Sequence, residues 1–287
     1  MGLGNNMKNK NVARHTLTHL FIIALGLLMI YPVIWMIVSS FKPNNLIFSD
    51  PGLIPKVVTI ENYINGWKGY AGVSFGKFFI NSFFMCTAAV VGNLIACTMA
   101  AYAFARLEFA GRKFWFAVML ITLMLPGHVT IVPRYILFNT FGWVGSYLPI
   151  IVPKFLATDA FFVFLLVQFI RSLPKELDEA AIIDGASQYQ VFFQIMLPMA
   201  KSGLIAMGIF NFIGQWNQFL LPLVLMPNPD RYLLSQGLQF LAIQQGYGND
   251  YSALFAALVI TMVPTLIIYV LFQRRLESGL TAGALKG

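Results

Sequence analysis

Charge is scarce in this chain. Of 287 residues only 10% are Asp, Glu, Lys or Arg, and 58% are hydrophobic, whereas a soluble globular domain is about a quarter charged and half apolar. That composition excludes a water-soluble fold as the starting assumption. The 19 basic side chains outnumber the 11 acidic ones, yet they never gather into a stripe. They stand singly or in adjacent pairs at the ends of apolar runs, so they read as membrane flanks and no nucleic-acid surface is expected. Cysteine is limited to Cys86 and Cys97. Within one helix these lie about 16 Å apart along the axis, too far for a disulfide, and no zinc-ligand spacing accompanies them. His15, His19 and His128 occur singly near the ends of apolar runs and are read as structural, with no metal site. Neither a Gly-x4-Gly-Lys-Ser/Thr run nor a His-Glu-x-x-His pair is present, which leaves no nucleotide cradle and no paired catalytic set. There is also no internal repeat or low-complexity tract.

Long apolar runs are what remains. A bilayer core about 30 Å thick needs about 20 apolar residues per helix, because unpaired backbone groups cannot be satisfied in hydrocarbon. Leu17 to Phe41, Phe78 to Ala105, Phe114 to Pro133, Gly203 to Met226 and Tyr251 to Phe272 meet that test almost without charge. Ile150 to Ile170 is long enough but carries Lys154 and Asp159. The expected fold is all-α, a polytopic membrane protein of about six transmembrane helices. Lys8, Lys10 and Arg14 precede the first run as in a signal peptide, but the run exceeds the usual apolar core of about 7 to 15 residues and is read as an anchor. An even count places both termini on one side. With that side inside, only Lys42, Lys56, Lys68, Lys77, Arg134, Lys154 and Arg231 of the 19 basic residues lie outside, so the bias predicts cytoplasmic termini.

The largest outer segment on this topology is Lys42 to Lys77, broken by Pro51, Gly52 and Pro55. The longest inner one, Arg171 to Ser202, is where four carboxylates cluster: Glu176, Asp178, Glu179 and Asp184. Its sequence from Pro174 to Pro198 predicts two short helices around a glycine. Pro174 suits a first helical turn, and the acidic residues after it complement the helix dipole. Gly185 can take the positive φ that ends the first helix, Val191, Phe192 and Ile195 give the second an apolar face, and Pro198 stops it near the membrane surface.

The spacing Glu-Ala-Ala, three residues, Gly, nine residues, Ile-x-Leu-Pro resembles the EAA loop of bacterial ABC importer permeases, matched by Glu179, Ala180, Ala181, Gly185, Ile195, Leu197 and Pro198. Glu61-Asn62-Tyr63, Asn81-Ser82, Ala101 to Arg106, Gly111-Arg112, Pro126 and Leu280 to Gly287 are similar to the MalG-type permeases of carbohydrate uptake. One departure is Ser202-Gly203, where such permeases usually have a second proline. The resemblance implies a single permease domain over 1–287, with a coupling loop at 171–202 and a C-terminal tail at 273–287, of which Leu280 to Gly287 reaches toward the ATPases, a mobile tail being the other reading. It further implies that the loop, Asp184 included, inserts into a cleft of an ATPase subunit, where Ala180 and Ala181 permit close approach and Glu179 pairs with a basic residue. Two ATPase subunits holding ATP and magnesium, a second related permease and an extracytoplasmic solute-binding protein are the implied partners in a bacterial inner membrane. This chain itself would bind no cofactor and hold no catalytic residue. Its implied work is passage of a sugar or oligosaccharide by alternating access. A non-sugar solute such as glycerol phosphate or a peptide is the alternative, and ion-coupled secondary transport has only Asp159 in its favour.

The candidate pathway residues are Asn211, Gln215, Trp216, Asn217 and Gln218, followed by Pro222. Asn211, Gln215, Gln218 and Pro222 follow an i, i+4, i+7, i+11 spacing that shares one face of a continuous helix. Amides suit sugar hydroxyls and an aromatic face suits the apolar side of the ring. Interhelical packing is the other use of such amides, worth roughly 0.6 to 2 kcal/mol each. Asp159 inside a span costs on the order of 3 kcal/mol unless paired or wet, so it is a pathway candidate, or else an outer-mouth residue in water. Lys154, five positions away, points to a different face of a continuous helix and is not expected to pair with it.

Overall fold

The computed structural model describes the backbone of residues 2–248 and 250–284 and the side chains of residues 14–243 and 250–273. Lys8, Lys10, Arg274 and Arg275 lie outside the described side chains, and Lys286 with the end of the C-terminal tail lies outside the described residues. No strand occurs among the described residues, only an isolated bridge between Tyr70 and Val73.

The helices in chain order are α1 (Gly2–Ser39), α2 (Glu61–Trp67), α3 (Phe75–Arg106), α4 (Arg112–Thr122), α5 (Ile131–Thr140), α6 (Leu148–Ile151), α7 (Ala160–Ser172), α8 (Glu176–Ile183), α9 (Gln188–Gln190), α10 (Leu197–Met199), α11 (Lys201–Trp216), α12 (Leu220–Leu225), α13 (Leu234–Gly248) and α14 (Tyr251–Ala284). A 3₁₀ turn, Val152–Leu156, extends α6, and a π-helix, Val191–Met196, joins α9 to α10. Arg14–Ser39, Phe75–Arg106, Leu148–Ser172 and Tyr251–Gln273 are each long and apolar enough to cross a membrane, and Gln188–Met199 with Lys201–Trp216 forms a further pair bent by 73°.

Three of the six expected spans are therefore not continuous helices. The run from Ile150 to Ile170 is interrupted at Ala157 to Asp159, between the 3₁₀ turn and α7. The run from Phe114 to Pro133 breaks between α4 and α5, where Pro126 removes a donor and biases Leu125 away from the helical region, and Gly127 follows. The run from Gly203 to Met226 breaks after Trp216. There Asn217 turns its side-chain amide onto the Ile213 carbonyl at 2.9 Å, a local bond that competes with helix continuation.

The chain divides into two compact units. One comprises Met1–Trp67 and Leu241–Ile260. Its organising group is Lys42, a lysine only 1% exposed, whose ammonium donates to the carbonyls of Asp50 and Gly52. A buried cation needs such partners. The Asn62 amide donates to the carbonyls of Ser40 and Lys42 at 2.8 Å each, and the Ser252 hydroxyl to that of Lys42 at 2.9 Å.

The other unit comprises Lys68–Phe240 and Thr261–Gly287. Its core packs Cys97, Ala101 and Tyr102 of α3 against Val163, Leu166 and Ile170 of α7, with Met207 of α11 and Phe192 and Met196 of the π-helix. Small residues of α3 let neighbours approach: a Cβ on Gly92 would sit 2.4 Å from the Phe155 ring. Such close contact is the main source of helix association where burial from water supplies little.

Candidate functional site

The acidic segment from Arg171 to Ser202 folds as two helices around Gly185. Helix α8 begins at Glu176, so Pro174 stands ahead of it and not in its first turn, with Glu176, Asp178 and Glu179 filling that turn. Gly185 ends the helix with φ +86° and open space where a Cβ would be, so conformation alone selects glycine. The next helix starts at Ser187, which forms a capping box with Gln190: the Ser187 amide donates to Gln190 Oε1 at 2.7 Å, and its hydroxyl accepts from the Gln190 amide at 3.4 Å. The ring of Pro198 clashes with the carbonyl four residues back and offers no N–H, and the helix answers with the wider π turn from Val191 to Met196. That turn buries Val191, Phe192 and Met196 and leaves Ile195, the third member of the expected apolar face, half-buried.

One face of this segment is clamped to the end of α3. Arg106 Nε lies 2.9 Å from Asp178 Oδ2, with side chains only 5% and 11% exposed, and Arg106 Nη2 donates to the Leu173 carbonyl at 2.8 Å. Tyr102 donates to Gln188 Oε1 at 3.0 Å. Burial pushes the Asp178 carboxyl above the usual carboxylate range, outweighing the pull of Arg106 in the other direction. The opposite face is free: Glu179, Ala180, Asp184 and Gly185 are exposed, Ala181 is half-buried, and Ile183 and Tyr189 stand out at 84% and 78% exposure. Leu197 is half-buried and Pro198 exposed. The sequence reading assigned Asp178 to the helix dipole and Arg106 to the membrane flank. Their pairing spans 72 positions and has no local spacing signal.

The pathway candidates separate into three groups. Asn211 and Gln215 share a face of α11 and are 1% and 8% exposed, and Asn211 Nδ2 and Oδ1, Gln215 Oε1 and Gln218 Oε1 are buried without a hydrogen-bond partner. Trp216 is held elsewhere: its indole donates to the Thr261 carbonyl at 3.2 Å and its ring stacks on Phe212 at 5.4 Å. Asn217 is exposed at the end of α11. The expected single stripe through Gln218 and Pro222 is corrected, because α11 ends at Trp216 and Pro222 belongs to α12.

Asp159 lies apart from these. Its Oδ2 accepts from Lys154 Nζ at 2.7 Å and from Asn93 Nδ2 at 2.6 Å, and the Cys97 thiol donates to Asn93 Oδ1 at 2.8 Å. The expectation that Lys154 and Asp159 would not pair is overturned. The helix is interrupted between them, with Ala157 at φ +53° and Asp159 as the N-cap of α7, so the five-residue offset no longer fixes their directions.

Three comparisons bear on this geometry. The family model described as "Binding-protein-dependent transport system inner membrane component" matches residues 92–282. The chain is 40% identical over 270 residues, 94% of its own length and 88% of the relative's, to the diacetylchitobiose uptake system permease protein NgcG of Streptomyces coelicolor. It is 37% identical to the arabinooligosaccharides transport system permease protein AraQ of Halalkalibacterium halodurans, covering 92% of this chain and 93% of that one. Among solved structures, a bacterial ABC transporter that imports the acidic polysaccharide alginate contains a chain with the same fold, at a TM-score of 0.81 and 19% identity, over 92% of this chain and 97% of that one.

Proposed function

The chain belongs to the binding-protein-dependent transport system inner membrane components, and from that premise we propose that it is the permease subunit of an ATP-driven importer which passes a sugar or oligosaccharide through an inner membrane. The chain is a multi-pass membrane protein with helices built to span a bilayer. The solute class rests on the relatives, whose names specify diacetylchitobiose and arabinooligosaccharides.

The observation that supports coupling to ATP is the two-faced acidic segment. Its inner face inserts Phe192 and Met196 into the same core as α3, α7 and α11, while its outer face offers Glu179, Ala180, Asp184 and Gly185 with the apolar knobs Ile183 and Tyr189. A rigid body seated on that outer face would move the bundle with it, since packed cores shift as units. We assign that body to an ATPase subunit, two to the complex, each holding ATP and magnesium, with Glu179 facing a basic residue. A second related permease completes the pathway, a solute-binding protein delivers from outside, and both termini lie in the cytoplasm. Asn211 and Gln215, buried and unpartnered here, are assigned to the pathway together with Asn217 and Gln218, while the Lys154 pair gives Asp159 a structural partner.

The test is reconstitution. The complex in liposomes, supplied with its solute-binding protein, should import that protein's bound saccharide only with ATP on the side of the acidic segment. A captured amino acid, peptide or phosphoester would overturn the solute class, and uptake driven by an ion gradient without ATP would overturn the mechanism.

A further inference from the structure

A groove of about 670 Å³ runs along the second unit beside the acidic segment. Its walls are Val90 and Leu94 of α3, Ile205 and Phe212 of α11 and Ile268 of α14, all on apolar spans, and its one charged lining residue is Lys201 at the start of α11. The exposed Lys201 ammonium makes no hydrogen bond or ion pair among the described residues. The floor is open because residue 208 is glycine. A Cβ there would meet Leu94 Cδ1 at 3.6 Å, an ordinary contact, so the space is left by a missing side chain and not by a backbone that forbids one.

We propose that this groove seats an acyl chain of one anionic phospholipid, with the phosphate on Lys201. The shape is that of an amphiphile, an apolar trough ending in a single cation. Hydrocarbon satisfies the trough without any polar partner, whereas a protein segment would have to bring an acidic residue to Lys201 and shape its side chains to the walls. The surrounding leaflet supplies the anion, and a lysine near an anionic membrane surface attracts it. The bend at Ala200 puts Lys201 at the N-terminus of a 16-residue helix, whose dipole adds to the attraction. Leu197 and Pro198 line the groove too, so the lipid touches both the acidic segment and the bundle that this segment moves.

The test uses the assembled transporter, with its partner subunits, in nanodiscs of mixed phosphatidylcholine and phosphatidylglycerol, and reads retained lipid by native mass spectrometry. The wild type should hold one phosphatidylglycerol per copy of this chain. Lys201→Gln, an exposed substitution, should lower the preference for phosphatidylglycerol over phosphatidylcholine by about tenfold, and Gly208→Leu should lose lipid of both kinds while the complex still assembles. Equal retention in wild type and Gly208→Leu, or unchanged headgroup preference in Lys201→Gln, would overturn the proposal. So would a cross-link from Ile205→Cys to the partner permease, which would show a protein segment filling the groove.

Discussion

The clamp between Arg106 and Asp178 gives a prediction with an unusual asymmetry. At 2.9 Å, an effective dielectric near 20 makes the attraction about 6 kcal/mol. Desolvation takes back several kcal/mol per ion, and removing one partner of such a buried pair costs about 3–5 kcal/mol. The two single variants fail differently. Asp178→Asn leaves a guanidinium that cannot deprotonate, so its defect should not change with pH. Arg106→Met leaves a carboxyl that can neutralise itself by taking a proton. Burial already raises the Asp178 pKa while Arg106 lowers it, so losing Arg106 raises it further. A carboxyl whose docked pKa exceeds its open-state value of about 3.9 contributes stability that is present below that value and lost as pH rises through the docked one. Inside that window each pH unit changes the opening equilibrium by about tenfold.

Hydrogen exchange of the backbone amides in 176–199, measured in the assembled complex from pH 5 to 8, reads this directly after correction for intrinsic exchange rates. A loss of 3 kcal/mol speeds exchange on the order of 10²-fold. Arg106→Met should gain protection as pH falls and lose it as pH rises, while Asp178→Asn stays deprotected throughout. The double variant Arg106→Met, Asp178→Asn should be better protected than Asp178→Asn alone at every pH, because no unpaired charge remains buried. A pH-independent Arg106→Met, or additive effects in the double variant, would refute the clamp.

Glu179 is exposed, so Glu179→Lys should change stability by less than about 0.5 kcal/mol yet lower ATP-driven uptake at least about tenfold; full uptake with normal ATPase stimulation would remove its docking role. Asn211→Leu deletes buried, unpartnered polar atoms, so it should hold or raise the thermal stability, by about 1–3 kcal/mol at most, while lowering uptake. A loss of stability with uptake per assembled complex intact would reassign Asn211 to packing. Lys154→Met strips the cation from Asp159 and should cost about 1–3 kcal/mol, with Lys154→Met, Asp159→Asn recovering most of it in a thermal unfolding assay; no recovery would mean that Lys154 acts through its packing alone.

How much of this was legible in the sequence depended on the range over which each signal acts. Gly185 could be placed in a helix-ending, positive-φ turn from its neighbours alone, and the structure puts it there at φ +86°, because a glycine bounded by two helical patterns has few other uses. The helical faces read from spacing were less secure, since spacing converts to direction only while the helix continues. That premise failed at Trp216, which detached Gln218 and Pro222 from the face of Asn211, and again at Ala157, which brought Lys154 and Asp159 together. Pro153 and Pro222 stand in these two runs, so a proline within an apolar run is a reason to withhold face arguments beyond it. Arg106 and Asp178 lie beyond any local rule, because each has a sufficient local explanation, as a membrane flank and as a first-turn acid. Only the packing of α3 against the acidic segment makes them one object, and it is this clamp that ties the segment to the helix bundle. If the segment moves the bundle as proposed, it needs one face that grips as well as one that docks, and Arg106 with Asp178 supplies the grip.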